Sequence, residues 1–193
     1  MPPIYFASSN SEKFDMARYL CTKADIPIEQ IFIDIDEIQG EDPIPIVKHK
    51  AAAAFQAFGK PVVVSDDSWE IPALNGFPGA YMKSMNFWFT PDDFIHLMID
   101  KTNRSVFLHQ HLAYCDGKQT LVFNDTIPGT VLTEPRGKTI PHKAWMSVVS
   151  IEGDHGLSLS EVFSAEKQLS NDRYDDRSTA WRELIEWYKK QSV

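Results

Sequence analysis

Asp66 and Asp67 stand side by side after the apolar run Pro61-Val62-Val63-Val64 and Ser65, with Glu70 close behind. Adjacent carboxylates repel each other unless a cation or a basic partner compensates. Hard divalent cations such as magnesium favour surroundings this rich in oxygen. Alone, the pair would read equally well as two solvated turn residues, but other polar segments keep it company. Ser8, Ser9, Asn10 and Lys13, in SSNSEK, follow a short apolar run and open a helical pattern. A turn of that kind offers hydroxyls, backbone N–H groups and a lysine to an anion at a helix start. Glu37 and Glu41 lie in the turn-like DEIQGED, and Lys48 and Lys50 on the helical stretch that follows. Taken one at a time, the serines are helix caps and the charges are solvated surface. Taken together they supply what cleavage of a phosphoanhydride needs: carboxylates to hold a cation and deprotonate water, and lysines against the charge on phosphate oxygens.

The elements that must carry these residues follow from apolar periodicity. Ile4 to Ala7 reads as a strand, and Phe14, Ala17, Arg18 and Cys21 as a helix. Ile31, Ile33 and Ile35 alternate as a second strand would, and a second helix runs from about Ile46 to Phe58, ended by Gly59 and Lys60. PVVV is a buried strand that delivers the acidic residues to its end. NGFPG makes a tight turn, Pro91 to Asp100 is helical, and Ser105 to Val131 is a hairpin turning at Cys115-Asp116-Gly117-Lys118. Gly129 to His142 is a long loop, and Trp181, Leu184, Ile185 and Tyr188 mark an amphipathic closing helix. The fold class expected is mixed α/β. A central sheet with flanking helices, extended by the hairpin, is expected, with a cleft where its two parts meet.

Composition narrows the function classes. The 193 residues are 43% hydrophobic and 24% charged, ordinary for a globular chain large enough to bury a core. A formal charge of −8 speaks against a sequence-independent grip on nucleic acid, which needs many lysines and arginines. A small phosphorylated ligand needs only a few local cations. No apolar stretch approaches the length of a membrane span. MPPIYFASSN has no secretory pattern, and Cys21 and Cys115 are too few for a disulfide framework, so a cytoplasmic place is expected.

Read in order, SSNSEK, DEIQGE, the helix carrying Lys50-Ala51, PVVVSDDS and ALNGFPGAYMK (Ala73 to Lys83) resemble the inosine triphosphate pyrophosphatase family, also called Ham1-like. The ALxGxPGxY element is the most specific, and the resemblance is concentrated in residues 4 to 83. It implies a twisted central sheet in a single domain over residues 1–193, with two lobes around a nucleotide-binding cleft, and a magnesium-dependent enzyme of nucleotide-pool sanitation. Such an enzyme cuts a non-canonical or modified nucleoside triphosphate to the monophosphate and pyrophosphate. It also implies a homodimer, for which the aromatic run Phe87, Trp88 and Phe89 is either a subunit face or core. Carried over residue by residue, it assigns Ser8, Asn10, Lys13 and Lys50 to the phosphates, with Lys48 as the fallback for Lys50. Glu37, Asp66 and Asp67 go to the metal. Asp66 is placed as the residue that activates water, with Asp67 the other candidate. Ser65 stands where the family has another acid; either Asp67 takes over by a one-residue shift of the turn or the metal shell is reduced.

The base-binding side departs from the family pattern. Pro135-Arg136-Gly137 is kept, but in the segment that follows Trp145 is the counterpart of the usual aromatic and Met146 replaces an aspartate. Asp175-Asp176-Arg177 replaces SHR, with Asn171-Asp172-Arg173 a second candidate. At neutral pH a carboxylate at Asp176 accepts hydrogen bonds and donates none, so bases with exocyclic amines are expected to gain over 6-oxo purines, stacked on Trp145 beside Arg177. The alternative is a nucleotide-binding sensor on the same scaffold with little or no turnover.

Overall fold

The computed structural model describes residues 1–36, 38–164 and 173–191, the side chains of Arg173 and Asp176 excepted. The chain forms two compact units interleaved in sequence. Met1–Asp67, Gln110–Asp125 and Tyr174–Val193 make the first, and Ser68–His109 with Thr126–Arg173 the second.

In the first unit β1 (Ile4–Ala7) pairs in parallel with β2 (Ile28–Ile31) in the register Ile4 to Ile28, and with β3 (Val62–Glu70) in the register Phe6 to Val63. Helices α1 (Ser11–Lys23) and α2 (Pro43–Phe58) follow β1 and β2. The side chains of β3 alternate between two cores, as a pleated strand requires. Val63 packs with Phe6, Ala17, Leu20 and Cys21 and with Trp181 and Leu184 of the closing helix. Val62 and Val64 pack with Val47, Ala51 and Ala54 of α2. The helix α2 starts early because Asp42 caps it, accepting from the Ile44 N–H at 2.9 Å, and because Pro43 suits a first turn. It stops at Gly59, whose φ of +74° is left-handed.

In the second unit the end of β3 pairs antiparallel with β4 (Pro78–Gly79), matching Trp69 to Gly79. Two short helices follow, α3 (Met82–Trp88) and α4 (Pro91–Leu97), the latter opened by a capping box between Thr90 and Asp93. The long hairpin is β5 (Ser105–Cys115) and β6 (Thr120–Val131), and β6 pairs antiparallel with β7 (Val149–Ile151). Helix α5 is Leu159–Ser164; α6 (Arg173–Asp176) leads back into the first unit, to which α7 (Thr179–Gln191) belongs. Among the described residues seven strands pair in the order β2-β1-β3-β5-β6-β7, with β4 beside β3. The class is mixed α/β with flanking helices, as expected.

Several boundaries differ from the expectation. The second strand is Ile28–Ile31 rather than the alternating stretch Ile31 to Ile35. Only four residues of β1 are there to pair, and Ile31 meets the last of them, Ala7. Ile33 and Ile35 pack instead, from an irregular segment, against the α2 core. The strand of PVVV runs on through Glu70, so Asp66 and Asp67 lie inside a strand rather than in a turn beyond it. Gly129 to Val131 belong to β6, which shortens the expected loop.

Candidate active site

The turn between β1 and α1 is held by its own side chains. Asn10 caps α1, its Oδ1 accepting from the N–H groups of Glu12 at 2.9 Å and Lys13 at 3.3 Å. The Asn10 N–H in turn donates to Ser8 Oγ at 3.2 Å, and Gln30 of β2 donates from Nε2 to the Ser8 carbonyl at 2.8 Å. Lys13, in the first turn of the helix, reaches Asp67 with Nζ 2.9 Å from Oδ2, both side chains about three-quarters buried. The structure therefore brings together Ser8, Asn10, Lys13 and Asp67 at the end of β1. A fixed turn, a helix start and a lysine make a cradle for an anion.

Asp66 and Asp67 point opposite ways. Val63 and Val64 open on different cores, and the same alternation sends Asp67 to the α1 side and Asp66 to the α2 side. Asp66 thus shares a face with α2, where Lys50 is half-buried and Lys48 exposed. Ile33 and Ile35, from the segment that leads towards Glu37, reach that same face. Glu37 itself lies outside the described residues, and no three acidic, histidine or cysteine side chains among the described residues gather closely enough to hold a metal. The two aspartates are not a single chelating pair, as expected from their adjacency, because neighbours on a strand diverge. Asp66 is a partly exposed hard oxygen donor, and its chemistry fits one ligand of a magnesium-like ion.

On the base-binding side the expectations fare unevenly. Trp145 is a core residue of the second unit, 2% exposed, with its ring 5.4 Å from Trp69 and 5.1 Å from Phe94. Its indole has partners on the inside and is not presented as a stacking platform. Asp175 is engaged by Lys23 of α1, Nζ lying 2.9 and 2.8 Å from its two oxygens, with the Tyr19 hydroxyl donating at 3.3 Å. The hydrogen bond from Lys23, helped by its positive charge, holds the Asp175 carboxyl below its ordinary range. Arg177 is buried, and the side chain of Asp176 and the alternative Asn171-Asp172 lie outside the described residues. Arg136 of PRG donates to the Gly156 carbonyl at 2.8 Å. A Cβ on Gly137 would come 2.9 Å from the Glu161 N, so this motif closes the loop onto α5. Of the aromatic run, Phe89 packs on the core, whereas Phe87 and Trp88 are 65% and 67% exposed.

Two polar groupings were not foreseen. Gln30 reads as one more polar residue between apolar ones, with no local signal for its bond to Ser8. His109 links three strands, with Nε2 3.0 Å from Glu70 and Nδ1 3.0 Å from Thr126. The alternation HQH placed His109 and His111 on one face, but their partners are distant in sequence.

A family model described as the Ham1 family matches residues 4–187. The chain is 27% identical over 187 residues to a dITP/XTP pyrophosphatase of Methanopyrus kandleri, with 96% of each covered. It is 32% identical over 132 residues to a dITP/XTP pyrophosphatase of Korarchaeum cryptofilum, covering 68% of this chain and 71% of that protein. In three dimensions it is similar to a HAM1 protein from Coxiella burnetii, with a TM-score of 0.76 at 22% identity, covering 98% and 100% of the two chains. That last likeness is one of fold.

Proposed function

The chain belongs to the Ham1 family, and on that basis we propose that it hydrolyses a non-canonical or modified nucleoside triphosphate to the monophosphate and pyrophosphate. One observation of geometry carries the reading: Lys13 of the β1–α1 turn meets Asp67 at 2.9 Å. A phosphate held at Lys13 has a carboxylate beside it, in place to orient a water molecule and take its proton. Water supplies the new oxygen, the bond between the α and β phosphates breaks, and pyrophosphate leaves. In this reading Ser8, Asn10 and Lys13 shape and charge the phosphate cradle, and Lys50 serves from α2. Asp67, rather than Asp66, is the general base, because Asp66 faces away from Lys13.

Ham1-family pyrophosphatases are generally metal-dependent. We assign the ion as magnesium, with Asp66 and Glu37 as its ligands; when bound, it supplies charge neutralisation at the phosphate oxygens. Asp176 and Arg177 are the base-side candidates, while Trp145 serves the core of its own unit. A homodimer through the exposed Phe87 and Trp88 belongs to the same reading, and sedimentation at micromolar concentration checks it. A cytoplasmic place belongs to the same reading. Among the described residues no helix is long and apolar enough to cross a membrane.

The decisive experiment incubates the protein with magnesium and a panel of triphosphates. The panel includes inosine and xanthosine triphosphates and amino-bearing nucleotides, and the products are separated. Pyrophosphate and monophosphate in equal amounts are expected, and the ranking of the panel reads the base preference. Release of orthophosphate would overturn the mechanism. Micromolar binding without product would establish the sensor instead.

A further inference from the structure

We propose that Gln30 is a positioning residue for the phosphate cradle: it locks the peptide between Ser8 and Ser9 so that the Ser9 N–H faces the bound phosphate. The inference rests on the reading of the SSNSEK turn as the phosphate site. β1 ends at Ala7, whose partner in β2 is Ile31, and beyond that pair the ladder stops. The Ser8 carbonyl therefore leaves the strand without a backbone partner from β2. Gln30, paired in register with Phe6, reaches past the end of the ladder and donates from Nε2 to that carbonyl at 2.8 Å.

A trans peptide is planar, and its C=O and N–H point in opposite directions. Fixing the Ser8 oxygen towards β2 therefore fixes the Ser9 N–H away from β2. The neighbouring donors are already committed. The Asn10 N–H goes to Ser8 Oγ, and the N–H groups of Glu12 and Lys13 go to Asn10 Oδ1. The Phe14 N–H goes to the Asn10 carbonyl. Among the described residues no hydrogen bond engages the N–H of Ser9 or Ser11, and both residues are exposed. With the peptide reversed, the Ser8 carbonyl would confront phosphate oxygens, replacing attraction by repulsion. Gln30 removes that alternative without touching the ligand.

The test uses Gln30→Leu and the isosteric Gln30→Glu, which keeps the shape of the side chain but cannot donate when ionised. Inorganic pyrophosphate binding is measured by calorimetry, and the amide signals of Ser9 and Ser11 are followed by NMR during the titration. Steady-state constants for the best triphosphate and thermal midpoints complete the set. Both variants are expected to bind pyrophosphate about 5- to 10-fold more weakly, the worth of roughly one oriented hydrogen bond. KM should rise by a similar factor while kcat and the thermal midpoint change little. The pyrophosphate-induced shift of the Ser9 amide should shrink and that of Ser11 persist. Unchanged affinity with an unchanged Ser9 response in Gln30→Glu overturns the inference. Wild-type protein whose turn amides ignore pyrophosphate overturns instead the phosphate-cradle reading on which it stands.

Discussion

Lys13 and Asp67 hold each other at 2.9 Å, and their separate removal distinguishes binding from chemistry. Asp67→Asn keeps the volume and loses the base. Turnover should fall by about a hundred- to ten-thousand-fold, the usual range for a general base, with nucleotide affinity kept within a few-fold. Asp66→Asn should act differently, raising the magnesium concentration needed for half-maximal rate, because its carboxylate lies on the α2 side with Lys50. Titrating magnesium against rate for both variants reads the difference; identical profiles would return the two aspartates to a single role. These residues were legible as candidates in the sequence, since SSNSEK and the aspartate pair each carry a local pattern. The division of labour proposed for them was not. It depends on which way each side chain leaves β3, and that required knowing that the strand continues past Val64.

At the scale of elements, the hairpin turn shows how tightly local sequence and packing agree. Asp116 Oδ1 accepts from the N–H groups of Lys118 and Gln119 at 2.9 Å each, and Gly117 between them has φ +81°. A Cβ on Gly117 would fall 2.4 Å from the ring of Phe55 on α2. Gly117→Ala therefore combines a left-handed backbone with a clash and should cost about 1 to 3 kcal/mol in urea unfolding. Adding Phe55→Leu should recover part of the loss, and strict additivity of the two changes would show that the contact is unimportant. This turn was visible beforehand because Asp-Gly between apolar runs is a local signal. The limits of β2 and β3 were not, because a strand ends where its partner ends. Ile33 and Ile35 alternate as a strand does, yet no strand is left to receive them.

For the molecule as a whole, stability should weaken towards alkaline pH through two residues of the first unit. Burial pushes the Cys21 thiol up from 9.0 to about 12. Burial first, and then the charge of Asp116, pushes the Tyr114 phenol up from 10.0 to about 12. Both side chains lie in the core between α1 and α7. The folded form binds these protons more tightly than the unfolded chain does. Their contribution is therefore intact below about pH 9 and is lost as pH rises from there towards 12. Urea midpoints measured upward from pH 8 should decline, and the double variant Cys21→Ala, Tyr114→Phe should flatten the decline; an unaltered slope would place its cause elsewhere. The partition into two interleaved units was beyond periodicity, since it is written in contacts between distant segments. One of those contacts governs how the protein is made. Phe6 of β1 rests edge-on against Trp181 of α7, ring centres 5.1 Å apart. Phe6 is made about 175 residues before Trp181, so this core cannot close until the whole stretch between them has been synthesised. Until then Phe6, Leu20 and Val63 have no α7 to cover them. The growing chain thus carries the first unit unfinished while the segments of the second are being made, and it is in that interval that chaperones would find it.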